Sequence, residues 1–321
     1  MFFGIEERFQ ICRKYGWNLL AYYIYQIVGL YISQRTVVTA LNRLLGFEFC
    51  DNCNHFKTKA AVYYTETKHR IVQRIVSGNL IHADETRANI KGTLAYVWVL
   101  TNTDEVAYIL SDTREGELVQ NILSEFRGVL VSDFYSTYDS IDCRQQRCLI
   151  HLIRDLNDEM LNNPFDEEFK QLVIAFGDLL KPMIETVDSH GLKTRFLKKH
   201  LASVELFYRQ LSITVFQSEA ASKCKQRFDK NRDKLFTFLS HDGVSWHNNN
   251  AEHAIKAFAR LRELIGGSST NTGLDEYLTL LSISQTCEYS GLDFLEFLRS
   301  GETDIKTFAK KQPRRRRTAS R

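Results

Sequence analysis

Two aspartates, Asp84 and Asp133, each follow a short apolar run, at 80–83 and at 129–132. We expect each run to be a buried strand that ends on its aspartate. An Asp at such an end points its carboxylate out of the sheet, where oxygen ligands can hold a hard cation such as Mg²⁺. A single Asp at a strand end is more often a turn residue. Two at matching ends of neighbouring strands favour a shared metal site.

A third acidic residue, Glu252, lies far downstream at the start of a predicted helix. Asn249 or Asn250 is the predicted N-cap of that helix. Glu252, Lys256 and Arg260 follow one another at intervals of four residues and therefore share one helix face. A surface ladder of ion pairs would give the same spacing. Together with the two aspartates, however, a carboxylate followed by two cations favours a site that holds metals and a phosphodiester.

The elements between the two aspartates predict how the carboxylates are positioned. An alternating run at 93–102 and an apolar run at 106–111 predict a hairpin that turns at 103–105. A helix capped by Asp112 or Thr113 then ends near Gly128. The sequence therefore predicts a mixed sheet of five strands, at 79–84, 94–102, 105–111, 129–133 and 147–150.

The first 78 residues are predicted to be helical. The apolar run 17–32 is too short for a membrane span, which needs about 20 apolar residues, so a buried helix is predicted. Ser33 and Gly46 are placed to cap a helix at 35–45. This pair is either a DNA-binding helix–turn–helix or an ordinary helical pair of the core.

Cysteine usage does not predict a structural zinc site. Cys50 and Cys53 have His55 and His69 nearby, but a second ligand pair at the spacing of a structural site is missing. The seven cysteines are scattered and no secretory signal opens the chain, so reduced intracellular thiols are expected.

Residues 152–240 are predicted to form an almost wholly helical block, with helices at 169–180, 192–211 and 219–239. Pro182 is expected to interrupt the first of them. The many basic residues of this block are interpreted as a solvated face. The net charge of the chain is only +3, yet eight Lys or Arg against one Asp follow position 303. Such a basic tail suits a phosphate backbone, although a solvated terminus would look the same.

Four motifs in order resemble the insertion sequence 66 family of transposases, within the DDE group that shares the ribonuclease-H-like fold. The similarity runs from about residue 79 to 300. The matching segments are HADET at 82–86, FRGVLVSD at 126–133, CLIHLIRD at 148–155 and NNNAEHAIK at 248–256.

This resemblance implies an α/β fold with a ribonuclease-H-like mixed sheet flanked by helices, and an all-helical insertion before the last catalytic helix. It also implies a DNA transposase, a polynucleotidyl transferase of two-metal chemistry. Asp84, Asp133 and Glu252 would be its catalytic triad and the ligands of two Mg²⁺ or Mn²⁺ ions. Cys148 and His151 match the Cys-x-x-His signature of the family. We expect His151 to contact the scissile phosphate or orient a carboxylate, and Cys148 to be inert packing.

The predicted partners are DNA, at the element ends and at the target, a second copy of the chain on that DNA, and accessory proteins of the element. The predicted DNA-binding residues are Lys256, Arg260, Arg314, Arg315, Arg316 and Arg317. No membrane association is expected, and a prokaryotic cytoplasmic, nucleoid-associated location is predicted. The expected domains are a helical region at 1–78, a catalytic domain at 79–151 and 241–300, an insertion at 152–240 and a basic tail at 301–321.

The sequence also departs from the family. The family usually has Arg where His253 stands and Trp near Arg87. Longer members carry an N-terminal zinc-binding segment and a coiled coil, so a shortened N-terminus is expected here. Two other functions stay open. One is a decayed or repurposed relative that binds DNA without catalysis. The other is a ribonuclease or resolvase of the same fold.

Overall fold

The computed structural model describes residues 16–46, 49, 54–267 and 269–312. Its strands are β1 (Leu80–Ile90), β2 (Thr93–Thr101), β3 (Val106–Ser111), β4 (Val129–Ser132) and β5 (Arg144–Arg147). Its helices before β5 are α1 (Trp17–Ile24), α2 (Gln34–Leu45), α3 (Asn54–Tyr63), α4 (Thr65–Val76) and α5 (Glu117–Ile122). The later helices are α6 (Leu149–Asn162), α7 (Glu167–His190), α8 (Thr194–Leu197), α9 (Leu201–Ile213), α10 (Glu219–Lys230), α11 (Arg232–Leu235), α12 (Asn249–Ile265), α13 (Asn271–Tyr289), α14 (Phe294–Ser300) and α15 (Ile305–Lys311).

The strands form one mixed sheet in the order β3-β2-β1-β4-β5. β2 and β3 pair antiparallel, from Tyr96 opposite Ser111 to Thr101 opposite Val106. β4 runs parallel to both β1 and β5. This confirms the predicted five-stranded mixed sheet and its hairpin. It also confirms that β1 and β4 are neighbours.

The first strand is longer than predicted. β1 continues past Asp84 to Ile90, so this aspartate lies inside a strand and the prediction that it ends one is wrong. From Arg87 to Ile90 exposed and buried residues alternate, as in a strand with one face on a core. Sequence reasoning missed this continuation because residues 84–89, DETRAN, are mostly polar. Lys91 (φ 51°) and Gly92 (φ 88°) then make a two-residue connection to β2.

The last strand was predicted at 147–150, which is wrong. β5 ends at Arg147, and helix α6 begins at Leu149. Apolar periodicity missed β5 because its buried members are polar. The Gln145 amide donates to Tyr138 O (2.6 Å), and the Gln146 amide donates to Leu235 O (2.8 Å). These hydrogen bonds offset the cost of burying amides, which sequence patterns cannot reveal.

The chain divides into two compact units. Unit 1 comprises Met1–Ser77, Asp84–Leu118 and Asn250–Arg321, and unit 2 comprises Gly78–Ala83 and Val119–Asn249.

In unit 1, helix α13 covers the edge strand β3. The Val106 N–H donates to Thr286 Oγ1 (3.0 Å), and the Tyr108 N–H donates to Ser282 Oγ (3.0 Å). Both hydroxyl-bearing residues are fully buried. Outward-facing backbone groups of the edge are thus hydrogen-bonded by a helix, a known way to protect an edge strand.

The N-terminal helices also belong to unit 1. The Ser33 side chain caps α2 by accepting from the Thr36 N–H, and Gly46 follows the helix with φ 67°, so both predicted caps are confirmed. The apolar run 17–32 contains α1 and a π-helical turn at Tyr25–Gly29. Among residues 16–46, 49, 54–267 and 269–312, no helix is long and apolar enough to cross a bilayer. Cys50 and Cys53 lie outside the described residues.

Unit 2 has its own hydrophobic core, in which helices α6–α11 pack on β4. Val129 and Val131 of β4 belong to the same buried cluster as the aromatic rings of Phe176, Phe207 and Phe228. The ring centroids of Phe176 and Phe228 lie 4.9 Å apart. The predicted break at Pro182 is wrong, because α7 runs through it. The helical character of this block is confirmed, whereas its shared core with β4 was not predicted.

Candidate active site

Asp133 directly follows β4 in unit 2 and is half-buried. Its Oδ1 accepts the Tyr135 N–H (2.9 Å), and its backbone carbonyl accepts Arg147 Nη1 (2.7 Å). The same Nη1 donates to Ser132 Oγ (2.6 Å). Backbone and carboxylate of Asp133 are therefore both held by hydrogen bonds, which orients the side chain of a candidate ligand.

Arg147 is almost fully buried at the end of β5, with 1% exposure. Its Nη2 pairs with the Asp139 carboxylate in the short 3₁₀ turn Ser136–Ser140. Burial raises the pKa of Asp139, but the Lys234 hydrogen bond and the charges of Arg147 and Lys234 lower it below its ordinary value. Sequence reasoning missed Arg147 and Asp139. Their only signal was an Arg directly before the Cys-x-x-His segment.

Asp84 lies in the part of β1 that belongs to unit 1, and it is half-buried. Its Oδ1 accepts the N–H of Glu85 (2.8 Å). The Glu85 side chain, in turn, pairs with Arg114 at 2.6 Å. The β1–β4 register pairs Leu80 with Val129 and ends with His82 opposite Val131. Asp84 and Asp133 therefore each lie two residues beyond the last pair.

Asn248 is a fully buried residue that ties several segments of unit 2 together. Its Nδ2 donates to Ala83 O (2.9 Å), and its N–H donates to Cys148 Sγ (3.3 Å). Its Oδ1 lies 3.1 Å from His82 Nδ1. Burial lowers the pKa of His82 to about 4, so this ring is neutral near pH 7. Because the Asn248 Oδ1 can only accept, the ring carries its proton on Nδ1. Sequence reasoning did not single out Asn248.

Cys148 and His151 lie at the start of α6. Cys148 precedes the helix and is fully buried, and His151 is half-buried in the first turn. The Leu149 N–H donates to Trp246 O (2.8 Å), which fixes the helix start within unit 2. The Cys148 thiol is out of reach of solvent, and its Sγ accepts the Asn248 N–H. The geometry thus favours a packing role for Cys148, and the role of His151 stays a prediction.

Glu252 lies in the first turn of α12, in unit 1, and is half-buried. The helix begins at Asn249, so Asn249 and Asn250 are helical residues and the two predicted caps are one and two residues too late. Tyr108 anchors the helix, because its hydroxyl donates to Ala254 O (2.7 Å). Lys256 and Arg260 are exposed, as expected of the polar face. Their part in DNA binding stays a prediction.

The predicted site residues are thus distributed over both units. Asp84 and Glu252 belong to unit 1, and Asp133 and His151 belong to unit 2. The three half-buried carboxylates offer the hard oxygen donors that Mg²⁺ and Mn²⁺ prefer, so the donor chemistry fits the ions implied by the resemblance. Residues 314–317, the predicted DNA-binding arginines of the tail, lie outside the described residues.

A match to a known family extends over most of the chain. The profile described as Transposase IS66 family matches residues 15–276. It starts well upstream of residue 79, where the motifs placed the beginning of the similarity.

One relative is an uncharacterized protein of Sinorhizobium fredii, y4qI, which is 24% identical over 269 residues. The aligned part covers 73% of this chain and 49% of that protein, so the chain spans about half the length of this relative. The family match confirms the resemblance drawn from the four motifs. It establishes that the chain belongs to the IS66 family of transposases.

Proposed function

We propose that the chain is a DDE transposase that cuts and joins DNA with Asp84, Asp133 and Glu252. The β1–β4 register carries this proposal, because Asp84 within β1 and Asp133 directly after β4 each follow its last pair by two residues. Family membership adds that the protein is of the transposase type.

The ribonuclease-H-like fold is part of the same proposal. It is supported by the sheet order, in which the antiparallel pair β2–β3 lies on one side of β1 and the parallel strands β4 and β5 lie on the other. The segment between β5 and α12 is helical, as the resemblance implies for the insertion.

The three carboxylates would hold two Mg²⁺ or Mn²⁺ ions. When bound, such ions activate a water or a DNA 3′-hydroxyl and stabilise the leaving oxygen of an in-line displacement. The chain's own contribution is to fix the carboxylates. Asp133 is fixed through Tyr135 and Arg147, and Asp84 through the N–H of Glu85. Catalysis then requires no covalent attack by a protein side chain.

The test replaces each proposed ligand by its nearly isosteric amide. Asp84→Asn, Asp133→Asn and Glu252→Gln should each reduce Mg²⁺-dependent strand cleavage and joining at least about 1,000-fold, and the triple variant should be no worse, because the groups act as a unit. DNA affinity should stay near that of the parent. The substrate is DNA carrying the sequences that flank the coding region, assayed with Mg²⁺ and with chelator.

Matched controls are Asp104→Asn, in the exposed turn of the hairpin, and Glu263→Gln, on the exposed face of α12. Both should keep parental activity. Near-parental cleavage by one of the three ligand variants would remove that residue from the proposed site. A parent that binds DNA but does not cut it with Mg²⁺ would favour the decayed, DNA-binding relative. Assembly into a homo-oligomer on DNA and accessory proteins belong to this proposal as expected partners.

A further inference from the structure

Asp139 of unit 2 is shared by three cations. Arg147 pairs with it from the interior, Lys234 Nζ lies 2.6 Å from its Oδ1, and Lys230 Nζ lies 3.9 Å from its Oδ2. The Lys234 and Lys230 side chains are 27% and 71% exposed, whereas the Arg147 side chain is 1% exposed. The buried guanidinium and the two more exposed lysines therefore share one carboxylate, and Arg147 and Lys234 contact the same oxygen, Oδ1.

One carboxylate balances only one of these charges. Arg147 depends on Asp139 because a buried guanidinium without a counterion is costly. The ammonium groups of Lys230 and Lys234 then remain as excess positive charge at the surface. Ion pairs with Lys add little stability where water reaches them, so structural need does not account for two lysines on an already paired carboxylate.

Three neighbouring cations of α10 and α11 have acidic partners of their own, whereas Lys225 of α10 donates to the Ser212 and Thr214 carbonyls. The three pairs are Lys223 with Glu219 (2.6 Å), Arg227 with Asp155 (2.6 Å) and Arg232 with Glu205 (2.8 Å).

The acidic residues of the same segment, Asp229 and Asp233, lie near a different side chain. Burial raises the pKa of Tyr208, the Arg232 charge lowers it, and the charges of Asp229, Asp233 and Glu205 raise it further. These carboxylates thus act on the Tyr208 hydroxyl, where the Arg232 guanidinium also stacks, 4.7 Å from the ring centroid. Lys230 and Lys234 are set apart because they share a single carboxylate with a buried arginine.

This surface is connected to Asp133 through a single side chain. Arg147 binds Asp139 with Nη2 and the carbonyl of Asp133 with Nη1. A DNA strand whose scissile phosphate lies at Asp133 would carry its neighbouring phosphates past this part of unit 2. Ammonium groups suit such phosphates as point charges that need no fixed geometry.

We propose that Lys230 and Lys234 bind phosphate groups of the DNA strand that flanks the scissile position at Asp133. The proposal rests on the proposed transposase function and adds a substrate contact to it. It also revises the interpretation of the basic residues in 219–239, since these two lysines contact a ligand and do not merely face solvent.

The test measures affinity for a short DNA duplex in EDTA over a range of salt concentrations. Each of Lys230→Gln and Lys234→Gln should lower the slope of log affinity against log salt by about 0.9, and should weaken binding roughly fivefold near 0.15 M salt. The double variant should show both losses. Lys230→Arg and Lys234→Arg keep the charge and should keep the parental slope.

Lys223→Gln is the matched control, because Lys223 lies on α10 together with Lys230 and is paired with Glu219. It should bind as the parent does, and all variants should unfold at the parental urea midpoint. An unchanged slope in the double variant would overturn the proposal, as would a slope lost equally in the control. Because chelator stops cleavage, this result is independent of the carboxylate variants, whose failure would contradict the transposase chemistry alone.

Discussion

Gly128, directly before β4, lies close to Asn79, the residue before β1. A Cβ added at this position would lie 2.4 Å from the Asn79 carbonyl oxygen and 2.6 Å from the Phe126 ring. The same carbonyl accepts the Val129 N–H at 2.9 Å, and this hydrogen bond immediately precedes the β1–β4 register. Only a residue without a side chain allows this approach, which leads directly into the β1–β4 register.

Gly128→Ala should therefore lower the free energy of unfolding by about 2 kcal/mol or more, the usual cost of forcing a methyl group into a packed site. Urea unfolding in EDTA measures it. Gly177→Ala is the control, because Gly177 lies inside α7 with open space around it. Alanine there should raise stability by about 0.5–1 kcal/mol. Equal effects of the two substitutions would contradict the role of Gly128.

At the scale of single residues, residue type and spacing predicted the carboxylates but not the buried polar residues around them. Asp84, Asp133 and Glu252 could be found because acidic residues after apolar runs and at a helix start are visible locally. Arg147 and Asn248 could not, because their importance lies in contacts with residues distant in sequence. The bond from Asn248 to Ala83 spans 165 positions. A charge or an amide in the sequence does not indicate whether it is buried.

Among the elements, α13 is unusual because its buried face is partly polar. Thr279, Ser282, Ser284, Gln285 and Thr286 of this helix are all buried. Two of their hydroxyls hydrogen-bond the edge of β3, so the helix does more than exclude water from the sheet.

Thr286→Val keeps the shape of the side chain but removes the acceptor for the Val106 N–H. We expect a loss of about 2 kcal/mol, because a buried backbone donor is left unsatisfied. Hydrogen exchange should also show faster exchange of that amide.

Thr279→Val is the matched change on the same helix. The Thr279 hydroxyl donates to its own helix, at Asp275 O (2.9 Å), and not to β3. It should cost clearly less and leave exchange of Val106 unchanged. Loss of protection at Val106 in both variants would show that the helix, and not the hydroxyl, protects the edge.

Elements with local signals were predictable, and those without were not. The β2–β3 hairpin, β4 and the caps of α2 follow from alternation, apolar runs and capping residues. β5 and the second half of β1 are polar strands, stabilised by side-chain hydrogen bonds and by neighbouring strands that no local pattern encodes. The continuous helix at Pro182 is a similar case, since packing overrides the loss of one backbone hydrogen bond.

For the whole molecule, the basic tail is the largest concentration of charge. Residues 313–321 contain five arginines and no acidic residue. A truncation that tests the tail should begin after Gln312. One that begins at Lys306 would remove most of α15, in which Ile305 and Phe308 are buried. Phe308 packs on Phe297 with ring centroids 5.4 Å apart.

Removing 313–321 should weaken DNA binding at least roughly tenfold near 0.1 M salt and flatten its salt dependence, because phosphate contacts release counterions. Mg²⁺-dependent cleavage should persist at saturating DNA. Replacing Arg314 to Arg317 with lysine is the charge-preserving control and should retain the parental slope. Binding and salt dependence unchanged by the truncation would show that the tail is merely solvated.

The covered edge of β3 has a consequence for synthesis of the chain. The ribosome completes β2 and β3 about 160 residues before it reaches the start of α13 at Asn271. Until then the Val106 and Tyr108 amides lack the hydroxyls that bind them in the finished protein. Exposed strand edges pair with other chains and aggregate. A nascent chain, or one that stops before Asn271, therefore presents an open edge, and slow translation of 112–270 would prolong this exposure.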